Sequence, residues 1–384
     1  MNRARPYGVL LATGLRTHQE NYARLFQADP RCQLIAVADE ADIPSHRTDL
    51  NRQFASEMNL PYINSLDEAL AREDVDIVSV CAEHERRGQV AVQCAQAGKH
   101  LYLDKPMTCS VSDADDVVAA VEAADVRSQV FSFIYYPWAQ AAKQAVDSDA
   151  VGEIIAVHSD VMFAKGHTST VPLGKPRSEN PCPKCFTFVD SKRELHTTGV
   201  YAVGLIRWLT GAEVKTVFCV TANYFFAEHM KNDVEDFGVL ALELEGGIVA
   251  TVACGRTGYM SHPAGGPNRL RIIGTKGSLT VDTNKPRIEV CADEPPWTPP
   301  LADPEDPMSF WSSTQKKADR PKQNWVPLHG RIEPPNDASR FIDCVESEVE
   351  SEMSARDGAA VTEVLMAGYA SAAQGNVVSL PLPR

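Results

Sequence analysis

Within the first 134 residues short apolar runs alternate with helical stretches, and this alternation limits the fold more than any other feature of the chain. Pro6 to Ala12, Gln33 to Asp39, Val75 to Cys81 and His100 to Leu103 read as buried strands. Between them His18 to Phe26, Asn51 to Met58, Leu66 to Arg72 and Gln89 to Ala97 read as helices, followed by a helix over Ser112 to Ala124 and a closing strand over Gln129 to Ile134. Strands separated by helices at this spacing predict a parallel, doubly wound sheet. From Tyr135 the pattern changes. After a helix near Ala139 to Val146 come longer strand-like stretches: Ile154 to Phe163, Val214 to Phe225, Val234 to Glu245, Ile248 to Gly255, Leu270 to Ile273 and Ser278 to Asp282. Gly246-Gly247 has the composition of a tight hairpin between two of them.

The expected architecture is therefore α/β, with an N-terminal dinucleotide-type (Rossmann) domain over 1–134. An α+β domain over 135–384, built on an open and mainly antiparallel sheet, would serve substrate binding and oligomerisation. Ala338 to Glu348 and Ala359 to Ala373 read as closing helices that can pack back on the first domain. The segment 286–335 is rich in Pro and Trp (Trp297, Trp311, Trp325) and reads as an ordered excursion, since three tryptophans favour packing. A chain of 384 residues is too long for one ordinary core, which agrees with two domains.

A net charge of −14 argues against nucleic acid or an anionic membrane as partner. No apolar run has the length of a membrane span, and Gly8 to Ala12 is too short for a signal-peptide core. The ten cysteines show no disulfide framework, so a reduced, cytoplasmic protein is expected. Cys182-Pro183-Lys184-Cys185 is the one metal-like pair. A zinc site needs four ligands and no second pair accompanies it, so no metal is expected.

The turn after the first strand reads Ala12-Thr13-Gly14-Leu15-Arg16-Thr17-His18, in which Gly14 alone fits the glycine pattern of a pyrophosphate loop. Asp39 ends the next strand about 25 residues on, where a carboxylate hydrogen-bonds an adenosine ribose and repels a 2′-phosphate. Glu40 follows and no arginine adjoins them in sequence, so NAD is expected over NADP. Arg16 can reach a phosphate, and Cys81 and Glu83, after a further strand, would line the same crevice. Asp104-Lys105-Pro106 follows the His100 to Leu103 strand. This places Lys105 where an open parallel sheet presents its ligand, beside a proline that stiffens the backbone. An ammonium there can hydrogen-bond a substrate hydroxyl or lower a neighbouring hydroxyl's pKa.

With these residues placed, the chain resembles the glucose–fructose oxidoreductase / inositol dehydrogenase / MocA (GFO/IDH/MocA) family nearly end to end. Ala97-Gly98-Lys99-His100 with Asp104-Lys105-Pro106 is similar to its Gly-Lys-His … Glu-Lys-Pro signature, with Asp for Glu. Val151-Gly152-Glu153-Ile154, Gly199-Val200-Tyr201, Arg207-Trp208-Leu209-Thr210-Gly211, Glu235-Asp236-Phe237, Gly274-Thr275-Lys276-Gly277-Ser278-Leu279 and Tyr369-Ala370-Ser371-Ala372 match later landmarks in order. Inositol-dehydrogenase-like members carry Asp and His four residues apart on the catalytic helix; here Thr197 and Tyr201 stand there. The resemblance implies oxidation of a secondary hydroxyl of a sugar, polyol or related cyclic alcohol. Ala12, Thr13, Gly14, Arg16, Asp39, Glu40, Cys81, Glu83, Asp104 and Lys105 would meet NAD. Lys105 and Tyr201 would form the acid/base pair, the lysine drawing the tyrosine pKa down, and His196 would position substrate or relay a proton. It also implies a homodimer or homotetramer with a small carbohydrate-like substrate. Two alternatives stay open: an NAD-dependent glycoside-cleaving enzyme working by transient oxidation and elimination, and a non-catalytic NAD-binding regulatory protein.

Overall fold

The computed structural model describes residues 5–164, 166, 168–169, 171, 177–180, 193–258, 268–282 and 336–384, with backbone alone at 287–292 and 323–327. Cys182, Cys185, Trp297, Trp311 and most of the loop after Phe163 lie outside the described residues.

The N-terminal apolar runs form a six-stranded sheet. Its strands are β1 (Tyr7–Ala12), β2 (Cys32–Ala38), β3 (Tyr62–Ile63), β4 (Ile77–Val80), β5 (His100–Leu103) and β6 (Ser128–Val130). They lie in the order β3-β2-β1-β4-β5-β6 with every pairing parallel, which is the doubly wound arrangement. Helices α1 (Gln19–Ala28), α2 (Ser45–Glu57), α3 (Leu66–Leu70), α4 (His84–Gln96) and α5 (Val111–Ala124) connect them. Side chains alternate across the strands, so the sheet feeds two cores. Leu10, Ala12, Val78, Val80, Leu101 and Leu103 pack with α4 and α5 on one face. Val9, Leu11, Ile77, Cys81 and Tyr102 pack with Tyr22, Phe26, Phe54 and Phe341 on the other. Two helices start earlier than the apolar pattern predicts, α2 at Ser45 and α4 at His84. Their first turns are polar or charged and carry no apolar period, although Arg47, His84 and Arg87 are buried there by pairing.

After α6 (Pro137–Asp147) the chain enters a nine-stranded sheet. Along the chain its elements are β7 (Ile154–Phe163), α7 (Glu194–Thr210), β8 (Val214–Ala222), α8 (Ala227–Lys231), β9 (Phe237–Leu244), β10 (Val249–Arg256), β11 (Asn268–Gly274), β12 (Gly277–Asp282), β13 (Arg287–Ala292), β14 (Gln323–Pro327), α9 (Asp337–Ser347), α10 (Ala355–Gln374) and β15 (Val378–Ser379). The order is β14-β13-β12-β11-β7-β10-β9-β8-β15, antiparallel except between β7 and β10. The Pro/Trp-rich segment thus contributes two strands, β13 and β14, that widen the sheet. The turn between β9 and β10 holds Gly246 at φ 72° and Gly247 at φ 78°, a left-handed pair that explains both glycines. Helices α7 and α10 cover the inner face, while Ile155, Phe218, Val220, Val239 and Val249 stay exposed on other strand positions. Helix α10 also packs on α5, and α9 packs on α1, so the C-terminal helices grip the first sheet. No helix among the described residues is long and apolar enough to cross a membrane.

One of those grips is titratable. Asp337 opens α9 in full burial, accepts a hydrogen bond from the Tyr102 hydroxyl at 2.7 Å, and leaves Oδ1 without a hydrogen-bond partner. Burial pushes its carboxyl up to about 7, against the opposing pull of Tyr102. A raised acid favours the fold while protonated, so that contribution is complete below about pH 4 and lost as pH rises through 7. Relative to Asp337→Asn, the parent protein should lose roughly 2–4 kcal/mol between pH 4.5 and pH 8. Urea unfolding at the two pH values checks this, and equal pH dependence in both proteins would contradict it.

Candidate active site

The rim of the first sheet gathers the carboxyl ends of four strands. Thr13 N donates to the Ala38 carbonyl at 2.9 Å, Cys81 N to Ala12 at 3.1 Å and Asp104 N to Val80 at 3.0 Å. The turn after β1, the end of β2, the β4–α4 turn and the segment after β5 therefore share one edge, where a doubly wound sheet binds its ligand.

At the β2 corner Asp39 is buried and held by Asn51 Nδ2 at 2.8 Å, the Thr13 hydroxyl at 3.1 Å and Arg86 at 3.0 Å. Arg86 also donates to Glu83 at 2.6 Å and to Glu40, and Arg47 reaches Glu83 at 3.3 Å. An arginine thus adjoins Asp39 in space though none does in sequence. Even so, three carboxylates outnumber the two guanidiniums, and the corner keeps its bias toward hydroxyl donors and against a 2′-phosphate. The residues fit a dinucleotide ribose on that donor chemistry.

The β1 turn is built differently from the expected cradle. Thr13 and Arg16 take φ of 77° and 61°, so the tight bend lies at non-glycine residues. Gly14 N donates to Asn51 Oδ1 at 2.8 Å, and a Cβ on Gly14 would sit 3.0 Å from the Asn51 Cα. Glycine is needed there for the approach of α2. Arg16 N donates to Glu20 at 2.7 Å while its side chain stands exposed on the turn. Ala12 belongs to the core.

Two expected cofactor contacts need correction. Cys81 is fully buried on the Ile77 face of β4, among the aromatic residues of the second core, so its thiol does not line the crevice. Burial, with Asp104 adding to it, pushes that thiol far above its ordinary range. Asp104 is also buried, and its carboxylate is occupied by protein donors: His18 Nδ1 at 2.7 Å, Tyr22 hydroxyl at 2.7 Å and Arg87 at 2.8 Å. Burial alone would raise Asp104; His18 and Arg87 outweigh it and hold the carboxylate well below the usual range. Asp104 anchors the strand end that carries Lys105.

Lys105 is 7% exposed. Its ammonium donates to the Thr197 carbonyl at 2.9 Å and lies 4.5 Å from the centre of the Tyr201 ring. The lysine therefore meets α7 at the two positions matched to the family's catalytic helix, one through the backbone and one through a ring face. Tyr201 stacks on Phe133 at 3.8 Å, with the planes 9° apart. The expected lowering of its pKa is reversed: burial, reinforced by the Asp104 charge, drives the phenol well above 10. His196 is fully buried and its Nε2 pairs with the Thr108 carbonyl at 2.9 Å. A carbonyl accepts only, so this nitrogen carries its hydrogen there and is not the relay base.

Three residues of the site escape a reading of the sequence. Arg86 is signalled only by Glu83-x-x-Arg86 spacing on one helix turn. Asn51 lies mid-helix with no mark of its link to Gly14. Glu194 is buried one turn before Thr197, whose hydroxyl donates to it at 3.0 Å, and it accepts from Arg256 at 2.6 Å. It returns a carboxylate to the helix that carries Thr197 in place of Asp.

The profile of the oxidoreductase family with an NAD-binding Rossmann fold matches residues 12–132, and that of the GFO/IDH/MocA C-terminal domain matches residues 139–280. The chain belongs to the GFO/IDH/MocA oxidoreductase family. This GFO/IDH/MocA chain is 25% identical over 277 residues to the Bacillus subtilis uncharacterized oxidoreductase YrbE, covering 71% of each. It is 26% identical to the B. subtilis scyllo-inositol 2-dehydrogenase (NAD(+)), over 56% of this chain and 58% of that one. To the Thermotoga maritima myo-inositol 2-dehydrogenase it is 23% identical, over 58% and 60%. The chain thus spans about three fifths of the length of these two inositol dehydrogenases. GenD2 from gentamicin A biosynthesis, solved with NAD, superposes with a TM-score of 0.70 at 23% identity, covering 100% of this chain and 98% of that one. Levoglucosan dehydrogenase, solved with NADH and L-sorbose, gives 0.71 at 16% identity, covering 98% and 99%. These two likenesses carry the fold. As a member of an NAD-binding oxidoreductase family, this chain takes NAD as its cofactor.

Proposed function

We propose that this GFO/IDH/MocA chain is an NAD-dependent dehydrogenase oxidising a secondary hydroxyl of a sugar, polyol or related cyclic alcohol. The observation that carries the reading is Lys105, a nearly buried ammonium anchored between the Thr197 carbonyl and the Tyr201 ring at the edge where the sheet presents its ligand. Bound NAD supplies the hydride acceptor. Lys105, reacting as the neutral amine, accepts a hydrogen bond from the substrate hydroxyl and takes its proton as the carbon gives up its hydride, becoming the ammonium that the Thr197 carbonyl and the Tyr201 face hold. Tyr201, kept neutral by burial, supplies the aromatic face that fixes the lysine. His196 ties the segment after Lys105 to α7 through Thr108. At the far end the partly exposed Glu40, and Asp39 on exchanging one of its protein donors such as the Thr13 hydroxyl or Arg86 for a ribose hydroxyl, take the adenosine ribose, with Arg16 on the exposed turn beside the phosphates, which favours NAD over NADP.

The test is NADH absorbance when the purified protein meets NAD and a panel of inositols, aldoses and anhydrosugars. Substrate-dependent NADH formation is expected. Sugar turnover without NADH would move the reading to redox-neutral elimination, and NAD binding without any turnover to a regulatory protein. Self-association belongs to the same proposal, because Val220 and Val239, paired across β8 and β9, and Phe218 on the same strand as Val220 leave exposed apolar side chains on the open sheet. Light scattering should find a dimer or tetramer at micromolar concentration; a monomer would count against it.

A further inference from the structure

Three side chains that the proposed reaction does not use as a set meet where the two sheets' helices adjoin. His84 opens α4, Cys109 follows Lys105 by four residues, and His196 lies in the first turn of α7. One ligand-capable atom of each lies within 4.8 Å of the other two. His196 is fully buried, His84 is buried, and Cys109 is partly exposed. The imidazoles meet edge to face, with centroids 5.9 Å apart and planes at 89°.

The geometry points to a divalent metal site of the zinc class formed by His84, Cys109 and His196, with one coordination position left for water or an oxygen ligand. Two imidazoles and a thiol are a borderline-to-soft donor set, which takes zinc in preference to magnesium or calcium. Three protein ligands with an open fourth position is the composition of reactive zinc centres rather than closed structural ones. The Thr108 carbonyl, 2.9 Å from His196 Nε2, holds that nitrogen as the donor and leaves the lone pair on Nδ1. A backbone carbonyl fixing the tautomer is the usual outer partner of a metal-bound imidazole. Thr108 also adjoins Cys109, so one contact orients the ring and sets the place of the sulfur. Bonds of about 2.0–2.3 Å put tetrahedral ligand atoms about 3.3–3.8 Å apart. Reaching that from the observed separation takes an inward movement of about 1 Å, which falls most easily to the partly exposed Cys109. The three ligands come from the start of α4, the segment after β5 and α7, so the ion would tie the nucleotide unit to the helix that faces Lys105.

The experiment uses the full chain, stripped with chelator and dialysed against zinc or cobalt. About one zinc per chain is expected. The cobalt form should show a near-ultraviolet thiolate-to-cobalt charge-transfer band that Cys109→Ser removes, with zinc affinity falling about tenfold or more. Zinc should raise the melting temperature of the parent protein and not that of Cys109→Ser. NAD binding measured in parallel reports whether the variant is folded, and His84→Asn gives the same reading at a second ligand. Zinc binding well below one per chain would overturn the site. So would binding that survives Cys109→Ser and disappears in Cys182→Ser/Cys185→Ser. Metal content, the cobalt band and melting are read without turnover, so failure here leaves the dehydrogenase reading to its own assay.

Discussion

Lys105→Ala is expected to lower kcat by about a hundredfold or more, the scale of losing a positioned proton-transfer group. NAD affinity should stay within about threefold, because the lysine touches α7 while the ribose corner lies at the end of β2. Lys105→Arg should rescue little, since a planar guanidinium on a longer stem cannot occupy a slot shaped by the Thr197 carbonyl and the Tyr201 face. Tyr201 separates ring from hydroxyl. Tyr201→Phe keeps the Phe133 stack and the face beneath the ammonium, so its loss should be less than about tenfold. Tyr201→Ala removes that face and should approach Lys105→Ala. The double variant should be little worse than either single one, as residues acting together fail together. A Tyr201→Phe loss as large as that of Lys105→Ala would return the acid/base role to the phenol. Single-turnover kinetics with NAD and a turned-over polyol reads all five variants.

The sheet of the first unit is legible in the sequence because β1, β2, β4 and β5 are short apolar runs bounded by turns, buried on both faces. The second sheet is legible where it alternates, as in β8 and β9, and illegible where it does not. Strands β13 and β14 lie in a segment whose prolines hide any period. Helices α2 and α4 start early because their first turns are polar or charged and held by pairing rather than by an apolar stripe. The site divides the same way. Lys105 is marked by its place after a strand and before a proline. The environment that decides what each residue does is three-dimensional and unmarked. Asp104 lies near enough to raise the Tyr201 phenol, and the face of β4 that carries Ile77 takes Cys81 into the core. The three donors around Asp104 come from His18, Tyr22 and Arg87, and only Arg87 is within 20 residues.

Arg86 turns that same limit into a test of cofactor choice. In the parent protein the guanidinium is shared among Asp39, Glu83 and Glu40, and the acids prevail, so NAD should bind at least about tenfold more tightly than NADP, roughly 1.4 kcal/mol. Asp39→Ala removes one charge that repels a 2′-phosphate and releases one of the partners that hold Arg86. The released guanidinium is then available for bidentate contact with the phosphate. The preference should therefore move toward NADP by more than charge removal alone predicts, on the order of a hundredfold in the affinity ratio. Asp39→Ala/Arg86→Ala isolates the cause: it should bind NADP no better than the parent protein while keeping the weakened NAD affinity of Asp39→Ala. Titrations of both cofactors against the three proteins, followed by intrinsic fluorescence at low salt, give the six affinities needed. If Asp39→Ala gains NADP affinity equally with and without Arg86, the arginine is only a clamp on the acidic corner. If the parent protein binds both cofactors alike, the corner does not meet the ribose at all.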